Sequence, residues 1–162
     1  MFLESSFAQS VVATDTSTQL LELVHDLLNG TDSITTCPLD ALDPHGYPAG
    51  CDAAFHFNFI NHLSRRDWTR FIGALHTALG PGSRVLMGAQ RCVGVVSASS
   101  LGIDADPLDR ADQRRCPDGS EYAIIDNEFT EEDLKGMLAG RAKELKMAPV
   151  HRMWWASYMV ER

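Results

Sequence analysis

Three polar residues stand just past apolar runs, and their types point to a neutral, hydrogen-bonding ligand. Asp15 closes the run Ser10-Val11-Val12-Ala13-Thr14, Asp40 follows Ser33-Ile34-Thr35-Thr36-Cys37 by three residues, and Asn58 follows Cys51-Asp52-Ala53-Ala54-Phe55-His56-Phe57. In open α/β sheets, ligands bind beyond the carboxyl ends of the strands. A carboxylate at one such end can accept both hydroxyls of a ribose. A second acid, one strand along, can accept from an exocyclic amino group such as that of adenine. Neither acid tolerates a nearby phosphate, so the pair describes a nucleoside pocket. His62, four residues after Asn58, has the chemistry to position a nucleophile or act as a base.

Each of these residues also has a plainer reading. Asp15 can simply precede a helix that Thr16 or Ser17 caps, and Asp40 can be a turn residue in a Pro-flanked loop. A solvent-facing or capping histidine just before a helix accounts for His62 equally well. His56, inside an apolar strand, reads as a satisfied core residue. Trp154 and Trp155 point to opposite faces of a strand, so at most one can line a pocket, and core packing is the default for both.

The elements that must position these groups follow from periodicity. Residues 10–15 read as a buried strand. Ser17 caps a helix with apolar positions Leu20, Leu23, Val24, Leu27 and Leu28, and Asn29-Gly30 stops it. Residues 33–37 and 51–57 read as further strands, separated by a loop rich in Pro, Gly and Asp. Ser64 caps the next helix, with Asp67 at N3 and Trp68, Phe71, Ile72, Leu75 and Leu79 on one face, and Gly80-Pro81-Gly82 ends it. A fourth strand begins at Arg84. This alternation predicts parallel pairing, with helices on the faces of an α/β sheet.

The pattern changes after residue 90. Residues 91–113 read as a long excursion, with a short helix near Pro107–Gln113. Pro117-Asp118-Gly119 joins Arg115-Cys116 to Glu121–Asp126 in a hairpin, with Gly119 at positive φ. Thr130 caps a helix opening on Glu131, Glu132 and Asp133, whose later Arg141, Lys143 and Lys146 suit its negative end. Residues 153–160 close the chain as an aromatic, β-branched strand.

Composition narrows the partners. The 162 residues suffice for one domain, residues 1–162, and the net charge of −8 offers no footprint for a polyanion. Nucleic acid is therefore excluded as the expected partner. Cys37, Cys51, Cys92 and Cys116 lie far apart without CxxC or zinc-finger spacing, so no metal site is expected. Cys37 and Cys51 read as small buried hydrophobes. No signal peptide and no apolar stretch of membrane-spanning length is legible, which predicts a cytoplasmic, reduced protein without a membrane partner.

Four segments, taken in order, resemble the class I S-adenosylmethionine (SAM)-dependent methyltransferases of small-molecule type. VVATDTSTQLLEL looks like that family's second-strand motif, and CPLDAL like its adenine-contacting segment. CDAAFHFNFINHLSRRDWTRFIGALHTALGPGSRVLM resembles the fourth strand, active-site loop, helix, turn and fifth strand. DGSEYAIIDNEFTEEDL, with the closing strand, is similar to the C-terminal part. The resemblance spans roughly residues 10–160. It implies a Rossmann-like sheet, mostly parallel with an antiparallel C-terminal strand. It further implies SAM as cofactor, and methyl transfer to a small-molecule acceptor by in-line displacement. Asp15 would hold the ribose diol, Thr16 the adenine face, and Asp40 and Ala41 the adenine amino group and ring edge. Phe57 and Asn58 would border the sulfonium, His62 would face the acceptor, and the excursion at 91–120 would cover it.

One departure bears on all of this. No GxGxG occurs in the chain, and only about ten residues precede the first strand, where a βαβ unit needs roughly thirty. The resemblance puts the missing strand at mid-sheet, so the expectation is an N-terminally truncated domain. Either the strands at 11–15 and 53–57 pair directly, or a second copy completes the sheet as a homodimer. The rival to an active enzyme is a non-catalytic methyltransferase-like remnant or partner subunit with impaired SAM binding. A nicotinamide-dependent dehydrogenase shares the strand-end acid but would need a glycine fingerprint and a YxxxK pair, which are absent.

Overall fold

The computed structural model describes residues 8–28, 31–91 and 94–161. The Asn29-Gly30 helix stop, the first seven residues and Cys92 lie outside them. The order is β1 (Val11–Asp15), α1 (Thr18–Leu27), β2 (Ile34–Pro38), β3 (Ala53–Phe57), a 3-10 turn (Ile60–His62), α2 (Arg65–Leu79) and β4 (Arg84–Gln90). Then come β5 (Val96–Ser97), a second 3-10 turn (Ala98–Leu101), β6 (Arg110–Arg115), β7 (Glu121–Ile125), α3 (Glu131–Met137), β8 (Ala142–Val150) and β9 (Met153–Val160).

Among the described residues the strands form three sheets, β1-β2, β3-β4-β9-β8 and β5-β6-β7. Only β1-β2 and β3-β4 are parallel, while the β4-β9, β8-β9, β5-β6 and β6-β7 ladders are antiparallel. The expected mostly parallel sheet is thus corrected to a mixed one. The cause is the second half of the chain, where turns rather than helical crossovers join successive strands.

The core sits on one face of the four-stranded sheet. Val85 opposes Tyr158, Met87 opposes Ala156 and Ala89 opposes Trp154. All six are nearly inaccessible, as the period of two requires. Helix α2 lays Trp68, Phe71, Ile72 and Leu75 on that face, and Phe129, Leu134 and Leu138 close its end. Helix caps fall as read: Ser17 accepts from Leu20 N, and Ser64 from Asp67 N. Thr130 and Asp133 form a reciprocal capping box.

Three local expectations need correction. Residues 110–113 lie in a strand rather than in a short helix, because Ala111–Arg115 pair with β7 and Arg110 with β5. Helix α3 stops at Met137 and Gly140 turns the chain at φ 70°, so Lys143 and Lys146 belong to β8. Strands β1 and β3 do not pair with each other among the described residues. The hairpin stands as expected, with Gly119 at φ 88° and Cys116 N donating to the Ser120 carbonyl. Cys37 and Cys51, expected buried, are half-buried.

Candidate functional site

Asp15 and Asp40 come to the same end of the β1-β2 pair. The ladder puts Asp15 opposite Pro38, and Leu39 N donates to the Asp15 carbonyl at 3.0 Å. Asp15 Oδ1 accepts from Ser17 N at 2.8 Å, so Asp15 shapes the turn into α1 while Ser17 caps the helix. Asp40 is exposed, and its Oδ1 accepts from Leu42 N at 2.9 Å. Thr16 is exposed beside Asp15. The Ala41 carbonyl accepts from Tyr47 Oη at 2.8 Å. Burial, and then the Asp40 charge, push the Tyr47 phenol up to about 12, so it remains a donor to Ala41 at neutral pH. Two carboxylates at one strand end accept well from hydroxyls and amines and repel phosphate.

Phe57, Asn58 and His62 lie at the corresponding end of the four-stranded sheet. Phe57 pairs with Gly88, and its ring lies over that glycine so closely that a Cβ there would meet Phe57 Cε1 at 2.5 Å. Asn58, at φ 50°, donates its N–H to the Gly88 carbonyl and accepts from Gln90 N through Oδ1, both at 2.9 Å. Asn58 therefore staples the ends of β3 and β4. Its carboxamide nitrogen is the part left for a ligand. The loop carrying Asp40 links the two units, since Ala41, Leu42 and Tyr47 pack against the main core. A shallow cleft of about 260 Å³ opens between α1 and β2 and holds none of these residues.

The excursion docks on the turn that carries His62 through polar groups the sequence reading missed. Asn61 Nδ2 donates to Asp126 Oδ1 at 2.8 Å, and Arg114 Nη2 to Asp126 Oδ2 at 3.2 Å. Asn127 donates to the Leu63 carbonyl at 3.0 Å and to Asp109 Oδ1 at 2.9 Å, and accepts from Arg110 N at 2.8 Å. Asp109, wholly buried, also accepts from Arg65 N and Asp106 N. The buried carboxylates survive because each accepts several donors: Asn61 and Arg114 on Asp126, and Asn127, Arg65 N and Asp106 N on Asp109. The one available signal was Asp126 itself, an acid closing an apolar run as Asp15 does.

His56 corrects another expectation. Its ring is wedged edge-on against Phe59 and Phe71, and neither nitrogen has a partner. Burial lowers it to about 4, so it stays neutral at ordinary pH. Trp154 is buried and Trp155 half-buried, on opposite faces of β9. Among the described residues, no three His, Cys, Asp or Glu side chains gather as metal ligands. No helix there is long and apolar enough to cross a membrane.

No family model matches the chain, and no curated protein matches its sequence. Solved structures do match. A DhpI–SAH complex aligns with a TM-score of 0.71 at 18% identity, covering 97% of this chain and 69% of that one. A SAM-dependent methyltransferase from Methanosarcina mazei aligns at 0.70 and 14% identity, covering 99% and 87%. One from Mesorhizobium loti aligns at 0.64 and 13% identity, covering 98% and 85%. The fold is that of the SAM-dependent methyltransferases. Nearly all of the chain is covered in these alignments, at identities that show the fold alone.

Proposed function

We propose that the chain binds SAM and transfers its methyl group to a small-molecule acceptor. The observation that carries this reading is the placement of Asp15 and Asp40 at one strand end of a methyltransferase fold. Bound SAM supplies a methyl group on a sulfonium, which departs leaving its bonding electron pair on sulfur. The residues present fit the adenosine half. Asp15 has Oδ2 for the ribose diol, Thr16 is exposed beside it, and Asp40 and Ala41 edge the adenine position. Phe57 and Asn58 border the methyl end, and His62 faces the acceptor. The chain's own contribution is alignment and exclusion of water. The DhpI complex with SAH supports the choice of cofactor. Among the described residues Cys37, Cys51 and Cys116 are free thiols, consistent with work in a reducing cytoplasm.

Calorimetric titration with SAM and S-adenosylhomocysteine tests the reading. Asp15→Ala should weaken binding by about 1.5–3 kcal/mol, the range for a hydrogen bond to a charged group. Unchanged affinity would move the site elsewhere.

A second reading, a non-catalytic methyltransferase-like module, draws on the separation of β1 and β3 into different sheets. Without GxGxG, no described residue is assigned to the amino-acid end of SAM, its carboxylate and amine. Absence of heat in the titration favours this reading. A second copy completing the sheet belongs to the same proposal, and sedimentation over a hundredfold dilution tests it.

A further inference from the structure

Helix α2 covers one face of the four-stranded sheet, and the other face is a second apolar surface. Val85, Met87, Ala89, Trp154, Ala156 and Tyr158 point into the core, so the residues alternating with them point away. One row across that second face reads Phe57, Gly88, Trp155, Ala148, and the next reads Phe55, Leu86, Ser157, Lys146. Phe57 is 37% exposed, while Leu86, Trp155 and Ala148 are half-buried. None of these residues belongs to the cluster under α2.

The area left open is large. The chain exposes 10470 Å², where a compact monomer of its mass, 17.9 kDa, exposes about 8,000 Å². The difference of roughly 2,400 Å² exceeds the roughly 800 Å² that each partner gives up in a standard interface. The rows say which partner fits. A two-fold axis between two stacked sheets, running along the strands, turns each row end for end. Phe57 then lies over the second copy's Ala148, Leu86 over its Ser157 and Trp155 over its Gly88, a large side chain on a small one each time. Phe55 lies over Lys146, whose ammonium can rest on the ring. Charge agrees. Residues 1–64 contain no Lys or Arg, so the net charge of −8 lies there. The same axis sets exposed Lys143 and Lys146 of β8 over β3, which belongs to that acidic stretch and starts beside exposed Asp52.

We propose that this face is the contact of a two-fold dimer, in which a second copy lays the same face against it. The sheets stack as in a β-sandwich, about 10 Å apart, with their strands within about 30° of each other. Each copy then gains what its sheet lacks, an apolar layer on the second side. The contact uses sheet faces, so it differs from a copy pairing along a strand edge, and it does not depend on methyl transfer.

Sedimentation of the whole chain over about a hundredfold dilution should show a dimer giving way to monomer. Tryptophan emission follows the contact itself, since Trp68 and Trp154 are buried within each copy and Trp155 is not. Emission should shift to the red on dilution, and Trp155→Phe should abolish the shift while leaving the dimer. Ala148→Arg puts a charge under the second copy's Phe57 and should raise the dimer dissociation constant about a hundredfold. Lys146→Glu, at an exposed residue, should raise it about tenfold and serves if Ala148→Arg does not fold. A monomer at every concentration overturns the proposal. So does a dimer whose dissociation leaves the emission unmoved, or one indifferent to both charge substitutions, the result expected if strand edges pair instead. SAM titration of the same samples reads cofactor binding separately, so either reading can fail alone.

Discussion

Helices α1 and α2 share an apolar spacing and a serine cap, yet only one of them is buried. Helix α2 hides Trp68, Phe71, Ile72, Ala74, Leu75 and His76. Helix α1 hides Leu21 alone and leaves Leu20, Leu23 and Leu27 at 46%, 54% and 76% exposure. A buried leucine contributes about 1.5–3 kcal/mol relative to an exposed one, so the two units differ greatly in what holds them. The four-stranded sheet gives α2 a complete apolar face. The β1-β2 pair gives α1 only two strands. A pair of strands is rarely stable by itself, so Asp15 and Asp40, proposed above for the nucleoside, stand on the weaker unit. Amphipathic spacing makes a helix. A partner surface makes it part of a core.

Truncation on the two helices tests this contrast most directly. Trp68→Ala should cost about 3–5 kcal/mol in chemical denaturation, the range for removing a buried aromatic side chain. A loss no greater than that from an α1 leucine would break the comparison.

Acid should strike the same core next. His56 is lowered to about 4 by burial, and His76 to about 4 by burial and then by Arg141. Unfolded histidine titrates near 6.5, so between there and about 4 the unfolded chain binds protons the native state refuses. Stability should therefore fall as pH drops through that window and level off below it. For His56 the loss is on the order of 3 kcal/mol. Denaturation midpoints from pH 8 to pH 4 measure it, and His56→Phe should flatten the curve. A curve with the same slope would remove His56 as the cause.

Gly88→Ala sharpens the comparison at the sheet itself. The new Cβ would fall 2.5 Å from Phe57 Cε1 and 2.7 Å from the Trp154 carbonyl oxygen. The ring can turn, but the strand backbone must shift. A loss of about 1–3 kcal/mol in thermal or urea unfolding is expected, the range for overpacking.

The smallest effect belongs to α1. Leu27→Ser, at a residue 76% exposed, should change stability by no more than about 0.5 kcal/mol. A larger loss would show that α1 is covered in solution, which sedimentation could then trace to a second copy.

Much of the candidate site was legible because it rests on local chemistry. Asp15, Asp40 and Asn58 sit past strand ends, and Ser17, Ser64 and Thr130 cap helices, each through neighbours within a few residues. The excursion was legible only at its hairpin, where Asp118-Gly119 specifies a turn. Its docking was not, because Asn61 meets Asp126 across 65 residues and His62 meets Ile125 across 63. No periodicity reports such a pairing.

By itself, the sequence determined which segments are strands and helices in the first ninety residues, where caps stand, and which acids close a strand. Those properties depend on side-chain spacing and on hydrogen bonds to adjacent backbone, so they are written locally. Tertiary structure alone decided the rest. It separated β1-β2 from the main sheet, turned residues 142–146 from helix into strand, and buried α2 while leaving most of α1 exposed. It also set the Ile125 carbonyl oxygen 2.8 Å from His62 Nδ1, an acceptor to which that nitrogen donates. What faces His62 arrives from β7, on a distant part of the chain.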